Sequence, residues 1–254
     1  MKKEHLKTWL DERAAFYNRP VFIETDPISI PHLFQTKQDI EIAGFFAAVF
    51  AWGNRTTILK KSRELMQAMR MQPHAFVLDH SKKELHALMQ FKHRTFNADD
   101  LLYFIDWLQH HYRENDSLET AFFPKTGMSV EAGLNRFKQS FFSKEHLKRT
   151  EKHIASPDQQ SACKRLNMYL RWMVRNDQTG VDFGIWKAVE PSALICPLDV
   201  HVSRVAQRLG LLERKQADWQ AAVALTERLR TFDKEDPAKY DFALFGTGVT
   251  ENRF

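Results

Sequence analysis

The segment from Asp39 to Trp52 constrains the fold more than any other part of the chain, because it is apolar nearly all the way round a helix. A helix without a polar face has to be enclosed by other elements, so it belongs in the centre of a core. We therefore predict a central buried helix over 39–52. Gly53 follows it in the position of a left-handed cap.

Most of the remaining chain also shows helical spacing of apolar residues, and no segment shows a convincing strand pattern. Glycine and proline number only 9 each in 254 residues, which argues against an all-β chain with its frequent turns. The segment 20–31 carries three prolines and is predicted to be an extended loop. The helical segments are 4–16, 56–69, 81–89, the stretch after a cap at Asn97 or Asp99, a short helix that starts at Ser117, and 129–143. The predicted fold is all-α, either one compact unit over 1–254 or two interleaved helical subdomains around a cleft.

Charge and cysteine content narrow the class of protein. The net charge of +5 suits a polyanionic partner or ordinary solubility equally well. Two cysteines, Cys163 and Cys196, make neither a disulfide framework nor a metal or iron–sulfur pattern, so we expect a reducing compartment and no metal or cofactor. The N-terminus lacks an apolar signal region and the longest apolar run is too short to span a bilayer. A cytoplasmic protein without a membrane partner is predicted.

The stretch 144–175 is the most basic part of the chain, and it reads either as a solvated helix face or as a surface that follows phosphates. Ser156, Pro157 and Gln159 fit a capping box with proline at the first helical position, which predicts a helix running on to Arg175. Lys164 falls inside this predicted helix, where it faces either a cleft or solvent.

A second helix is predicted from Val200 to Leu209. Pro197 favours an extended approach, Asp199 stands at the N-cap and Gly210 ends the helix. An aspartate at a helix N-terminus stays ionised, because backbone N–H groups and the helix dipole stabilise its anion. Asp199 is therefore either a cap alone or a cap that also presents a carboxylate to a ligand.

The segment Pro197-Leu-Asp-Val-His-Val-Ser-Arg-Val-Ala-Gln-Arg-Leu-Gly210 resembles the catalytic-aspartate segment of the helix–hairpin–helix DNA glycosylases, which include the 8-oxoguanine glycosylases. Together with 170–175 and 236–248 it also resembles a bacterial family known only as a domain of unknown function. The glycosylase resemblance implies a helical DNA-glycosylase-like fold, double-stranded DNA as the partner and a base flipped into a pocket.

The same resemblance implies roles for particular residues. Asp199 matches the carboxylate that stabilises the sugar, and Lys164 matches the nucleophile of the members that also cleave the strand, with a lysine-to-aspartate interval of the longer, archaeal type. Lys187 is a second candidate, and a site without a catalytic lysine is the third reading. We expect Lys164 and Asp199 on facing walls of one cleft, near enough to share a deoxyribose but not ion-paired.

Other residues are candidates for contacts with DNA or for walls of the base pocket. Asn54 and Arg55 follow the central helix, where glycosylases fill the gap left by a flipped base, although the bland reading is a Gly-capped turn. Phe91 to Phe96 mixes cations with aromatics, either for stacking on bases or as a loop held by two core phenylalanines. The further DNA-contact candidates are Arg165, Arg171, His201 and Arg204, and the pocket candidates are Trp52, Trp172 and Trp186.

The chain also departs from the glycosylase pattern. It has no glycine between Gly133 and Gly180, so the Gly-rich hairpin that holds a phosphate is absent or rebuilt, and the four-cysteine iron–sulfur loop is missing. The leading hypothesis is a DNA base-excision glycosylase with a lysine-dependent lyase step, acting on a damaged base such as an oxidised purine. The alternatives are a catalytically inactive nucleic-acid-binding module on the same scaffold and a helical protein that binds a small molecule. The sequence leaves the lesion and the oligomeric state open.

Overall fold

The computed structural model describes residues 2–250, which are 64% helical and contain no strand or sheet. The prediction of an all-α fold is therefore confirmed. No helix in this described part of the chain is long and apolar enough to cross a membrane. Its α-helices are α1 Lys3–Tyr17, α2 Pro20–Ile23, α3 Lys37–Phe50, α4 Arg55–Ala68, α5 Pro73–Asp79, α6 Lys82–Ala87, α7 Ala98–Glu114, α8 Glu119–Phe122, α9 Val130–Phe141, α10 Lys164–Val174, α11 Val200–Arg208, α12 Trp219–Arg230 and α13 Tyr240–Thr250.

The chain divides into two units, and each is built from separate stretches of sequence. Unit 1 comprises Met1–Glu24, Gly127–Ala132 and Ser156–Phe254, and unit 2 comprises Thr25–Thr126 and Gly133–Ala155. The ends of the predicted domain, Met1 and 251–254, lie outside the described residues. A cleft between subdomains stays a prediction.

Helix α3 is the centre of unit 2, as the sequence predicts. Phe45 and Phe46 on this helix are fully buried, and the Phe45 ring stacks on Phe104 of α7 with 5.7 Å between centroids. Thr36 caps the helix by accepting a hydrogen bond from the Asp39 backbone N–H. The buried aromatic surface accounts for the skew toward phenylalanine, because each ring adds roughly 2–3 kcal/mol of burial.

Capping boxes set the starts of α6 and α7. The Ser81 and Glu84 side chains each bond the other's backbone N–H, as do Asn97 and Asp100. Of the two predicted caps for α7, Asn97 is thus the correct one. These local pairs satisfy backbone donors that a helix start leaves free, which is why the sequence alone reveals them.

In unit 1, α13 packs against both α1 and α11. Phe242 and Leu244 of α13 are fully buried. A Cβ placed on Gly246 would come within 2.4 Å of the Tyr17 ring, so glycine permits the close approach of α1 and α13. This packing holds α13 beside the start of α11.

Two sequence predictions are wrong in detail. The segment 20–31 is not extended but forms α2 and two 3₁₀ turns, each with proline in its first turn. The helix predicted from Ser156 onward is also not continuous. Pro157–Gln159 forms a 3₁₀ turn without a side-chain cap from Ser156, Gln160 turns left-handed at φ 56°, and α10 starts only at Lys164.

Candidate active site

Asp199 is held at the start of α11 by two backbone donors. Its Oδ1 accepts hydrogen bonds from His201 N at 2.9 Å and Val202 N at 3.0 Å, which confirms the predicted N-cap. The side chain is 19% exposed. The cap uses Oδ1, and Oδ2 faces Lys164, so the carboxylate is both oriented by the helix and accessible to a ligand.

Lys164 is the first residue of α10, and the residue before it has unusual backbone geometry. Cys163 is left-handed with φ 49°, and its N–H bonds the Ser161 hydroxyl. The Lys164 side chain is 24% exposed, with Nζ 3.5 Å from Met168 Sδ and 5.8 Å from the Phe245 ring centroid. The amine therefore lies among apolar groups at a helix start rather than along an exposed helix face.

The two proposed reactive groups lie closer together than expected. Lys164 Nζ is 3.8 Å from Asp199 Oδ2, within the range of an ion pair although too far for a hydrogen bond. The expectation that the two groups are not ion-paired is wrong. The reason is geometric, because the first residue of α10 and the N-cap of α11 meet at their helix starts.

A buried cluster of charges lies next to this pair. Arg171, two turns after Lys164 on α10, is 3% exposed and pairs with Asp182 and Asp241. Arg175, one turn further, pairs with Asp177, Asp182 and Asp236. Counting these partners, four carboxylates face two guanidinium groups. An excess of buried negative charge disfavours ionisation of at least one carboxylate.

Asp241 shows that effect. Burial raises its pKa to about 6, nearby Asp199 and Asp182 act in the same direction, and Arg171 and Lys164 oppose them. Burial likewise raises the pKa of the Cys196 thiol, with Asp241 and Asp199 adding to the effect. Asp241 therefore changes charge near neutral pH while lying within electrostatic range of both Lys164 and Asp199.

Sequence reasoning missed Asp241 and Asp182, but part of the signal was present. Arg171 and Arg175 follow Lys164 at seven and eleven residues, spacings that keep all three on one side of a helix. Asp241 lies in the segment 236–248 that carries the family resemblance. Asp241 pairs with Arg171 across 70 residues of sequence, and Asp182 pairs through a loop, so helical periodicity reveals neither contact.

Four predicted DNA contacts belong to unit 1, and their surroundings differ. Arg171 is buried and paired with Asp182 and Asp241, so it has no surface with which to contact DNA, contrary to the prediction. His201 Nδ1 and Arg204 Nη2 both donate to the Gly248 carbonyl, at 3.1 and 2.6 Å, and join α11 to α13. Burial lowers the pKa of Arg165 to about 10.

The predicted pocket tryptophans of unit 1 are buried side chains. Trp172 is fully buried and Trp186 is 1% exposed, with the Trp186 ring edge-on to Tyr169 at 5.3 Å between centroids. Nε1 of Trp172 has no hydrogen-bond partner within the described part of the chain. Their role as walls of a base pocket stays a prediction.

The remaining candidates, Trp52, Asn54 and Arg55, belong to unit 2. Asn54 caps α4 by accepting a hydrogen bond from Thr57 N at 3.1 Å, and Arg55 is the first residue of that helix. Gly53 is left-handed at φ 103°. The Gly-capped turn that the sequence predicts as the structural alternative is present. A contact of this turn with DNA stays a prediction.

The histidine, cysteine and acidic side chains of the described residues do not cluster as metal ligands. Within residues 2–250 no group of three or more histidine, cysteine, aspartate or glutamate side chains is placed to hold a metal ion. Cys163 and Cys196 are both buried and free. The chemistry that the described site offers is that of an amine, carboxylates and guanidinium groups.

The fold and site thus define an all-α protein in which a lysine–aspartate pair lies where two helices start. A buried charge cluster lies next to that pair. The sequence profile of the family described as "Protein of unknown function (DUF2400)" matches residues 26–250, and the chain belongs to that family. No curated protein and no solved structure matches the chain. The resemblance to helix–hairpin–helix glycosylases stays a prediction.

Proposed function

We propose that this protein is a DNA base-excision glycosylase with a lysine-dependent lyase step. The observation that carries the proposal is the 3.8 Å separation of Lys164 Nζ and Asp199 Oδ2. An amine nucleophile and a carboxylate at that spacing can act on the same sugar carbon, one by attack and the other by stabilising positive charge.

In the proposed reaction, Lys164 loses its ammonium proton and the Nζ lone pair attacks C1′ of the target nucleotide. The bond from C1′ to the base breaks, the base departs with that electron pair, and it takes up a proton. The C1′–O4′ bond then breaks, O4′ keeps that electron pair and takes up a proton, and the Nζ lone pair forms an iminium with C1′. Loss of a C2′ proton expels the 3′ phosphate and breaks the strand.

Asp199 supports the departure of the base. Its anion stabilises the positive charge that develops on the sugar as the base leaves, and its fixed position needs no rearrangement at that moment. Nζ and Oδ2 are 3.8 Å apart, too far for direct proton transfer, so the ammonium proton passes to solvent water and the carboxylate stays charged. Because Oδ1 is engaged with backbone donors, Oδ2 is the atom that serves this role.

The Gly-rich hairpin of the glycosylases has a candidate replacement in the turn before α10. Gln160 and Cys163 adopt left-handed backbone angles, φ 56° and 49°, where such a hairpin would carry glycines. Non-glycine residues in this region cost about 1 kcal/mol each and persist only where the surrounding structure holds them. We propose that this turn positions Lys164 for attack.

The test is borohydride trapping on a duplex with a single abasic site. Borohydride reduces the iminium to a stable amine, so an active enzyme becomes covalently linked to DNA. We expect trapping with wild type and with Lys187→Gln, a matched control whose native Nζ bonds the Gly184 carbonyl. Lys164→Gln should abolish trapping while changing duplex affinity only a few-fold.

Two outcomes contradict the proposal. Equal trapping by Lys164→Gln would show that another amine, such as the terminal α-amino group, reacts with the abasic site. Absence of trapping with a wild-type protein that binds duplex DNA would replace the enzyme with the inactive nucleic-acid-binding module.

A further inference from the structure

Unit 2 contains a cavity of about 660 Å³ whose charged lining is mostly cationic. Four of the lining side chains are Lys92, Arg94, Arg149 and Lys152, and only Asp99 is acidic. The cavity lies beside the start of α7. Nothing in the Lys164–Asp199 site uses these residues.

Arg149 is held rigidly at one wall of the cavity. Its Nη1 donates to Asn97 Oδ1 at 2.7 Å and to Asp100 Oδ2 at 2.8 Å, and its Nη2 donates to the Thr95 carbonyl at 2.7 Å. Asp100 offsets most of the Arg149 charge. The uncompensated charge of the cavity therefore resides on the other three cations.

Arg94 is positioned by an unusual turn. His93 and Phe96 exchange both backbone hydrogen bonds at 2.9 Å, and Arg94 between them is left-handed with φ 55°. Its guanidinium stacks on the Trp52 ring, 4.4 Å from the centroid, and occupies the space that a Cβ on Gly53 would need. A guanidinium stacked on one face keeps its edge donors available for a phosphate.

The turn that carries Arg94 is anchored in the core of unit 2. Phe91 is 5% exposed and Phe96 is fully buried, so the sequence reading of a loop held by two core phenylalanines is confirmed. His93 Nε2 donates to the Phe50 carbonyl at the end of α3. The cations on this loop are thus carried by a rigid part of unit 2.

Lys92 and Lys152 supply charge that exceeds the single negative charge of Asp99 in the same lining. Both side chains are exposed, and neither forms an ion pair with any other residue in the described range 2–250. Two exposed lysines and an oriented arginine around one cavity attract an anion more strongly than a surface of mixed charge does.

We propose that this cavity binds the phosphodiester backbone of duplex DNA through Lys92, Arg94 and Lys152. The cations are exposed and line a cavity of about 660 Å³, which is far larger than one small anion, so the site suits successive phosphates along a strand. The inference extends the proposed function, on which it rests, to a surface of unit 2.

The test compares the salt dependence of duplex binding in wild type and three variants of the whole 254-residue chain. The double variant Lys92→Gln, Lys152→Gln removes two cations from the cavity. The control Lys82→Gln, Lys83→Gln removes two exposed lysines of α6 in the same unit that do not line the cavity. Both double variants lose two positive charges, so a difference between them reports a local contact rather than a general electrostatic effect.

The double cavity variant should bind an undamaged duplex roughly tenfold more weakly near 0.1 M salt. Its plot of log affinity against log salt should be less steep by about 2, since each phosphate contact contributes about 0.9 to the slope. The control should keep the wild-type slope. Arg94→Gln should reduce the slope by about 1.

An unchanged slope in the cavity variants, or the same change in the control, overturns the proposal. A second arm titrates inorganic phosphate at constant ionic strength. If the cavity lysines are needed for binding phosphate but not duplex, the site is for a small anion and the proposal is wrong.

Trapping keeps this inference distinct from the proposed function. At saturating abasic duplex, the control Lys82→Gln, Lys83→Gln should form the covalent adduct as wild type does. If the salt slope of duplex affinity falls in the cavity variants but wild type gives no trapping, the phosphate site is supported and the lyase is contradicted. Normal trapping with an unchanged slope supports the lyase and contradicts the phosphate site.

Discussion

Lys164 Nζ and Asp199 Oδ2 lie 3.8 Å apart because the first residue of α10 meets the N-cap of α11. The Asp199 carboxylate thus has two roles. It caps α11, and in the proposed reaction its charge stabilises the sugar. Asparagine can take over the first role, since it caps helices about as well as aspartate, but not the second, since it carries no charge.

We expect Asp199→Asn to slow base release by orders of magnitude while changing the free energy of unfolding by less than about 1 kcal/mol. Single-turnover release of 8-oxoguanine from a duplex and denaturant unfolding measure the two effects. Asp218→Asn is the matched control, because Asp218 is the N-cap of α12 and accepts from Ala221 N. An unchanged release rate in Asp199→Asn would leave this residue as a cap only.

Local chemistry explains how much of this site could be predicted from sequence. Asp199 and Gly210 mark the two ends of α11, because caps and left-handed glycines act within a few residues. The start of α10 was missed because Gln160 and Cys163 adopt left-handed angles that sequence reasoning assigns to glycine. Only surrounding packing can impose such angles on these residues.

The charge cluster could not be predicted for a different reason. Arginine and aspartate are usually exposed, so the sequence predicts Arg171 as a DNA contact, whereas the structure buries it against Asp182 and Asp241. The pairing follows from tertiary packing of α10 with α13 and with the loop before α11. In unit 2, by contrast, the apolar pattern of α3 was sufficient to identify the core helix.

Asp241→Asn should change how stability depends on pH. Because the pKa of Asp241 rises from 3.8 to about 6 in the folded state, its protonated form stabilises the fold below about pH 4, and that contribution is lost as pH rises through 6. The loss amounts to about 3 kcal/mol. Urea unfolding from pH 4 to 7 should show this decline in wild type and a smaller one in the variant.

The charged neighbours of Asp241 are those named above: Arg171, Asp182, Lys164 and Asp199, with the Cys196 thiol also in range. Asp218→Asn serves as the control, since Asp218 lies outside this cluster and is not among the groups that shift the pKa of Asp241. A decline of equal size in wild type and Asp241→Asn would mean that another group titrates in this window.

Asp100 in unit 2 should have the opposite pH dependence. Burial alone would raise its pKa, but hydrogen bonds from His153, the Asn97 N–H and Thr150 outweigh burial and lower the pKa to about 2. The ionised form thus stabilises the fold above about pH 4, and this contribution is lost as pH falls toward 2. It amounts to about 2 kcal/mol.

Asp100→Asn should lower the free energy of unfolding at pH 7 by about 2–4 kcal/mol, because Arg149 and His153 lose a charged partner. The variant should also lose less stability than wild type between about pH 4 and 2. Asp99→Asn, an exposed neighbour on the same turn, should change both quantities little. Equal acid sensitivity in Asp100→Asn and wild type would contradict this assignment.

Gly246→Ala tests the close packing of α13 on α1. The new Cβ would lie 2.4 Å from the Tyr17 ring at Cγ and Cδ2, next to the attachment of the ring rather than at a flexible end. Although alanine favours a helix by up to about 1 kcal/mol, we expect a net loss of roughly 1–3 kcal/mol in the free energy of unfolding.

Tyr17→Ala provides the second arm of a double-mutant cycle, because it removes the ring that Cβ would meet. If the contact causes the loss, Gly246→Ala should be neutral or stabilising in the Tyr17→Ala background, giving a coupling of about 1 kcal/mol or more. Additive effects of the two substitutions would show that the alanine acts elsewhere than at this contact.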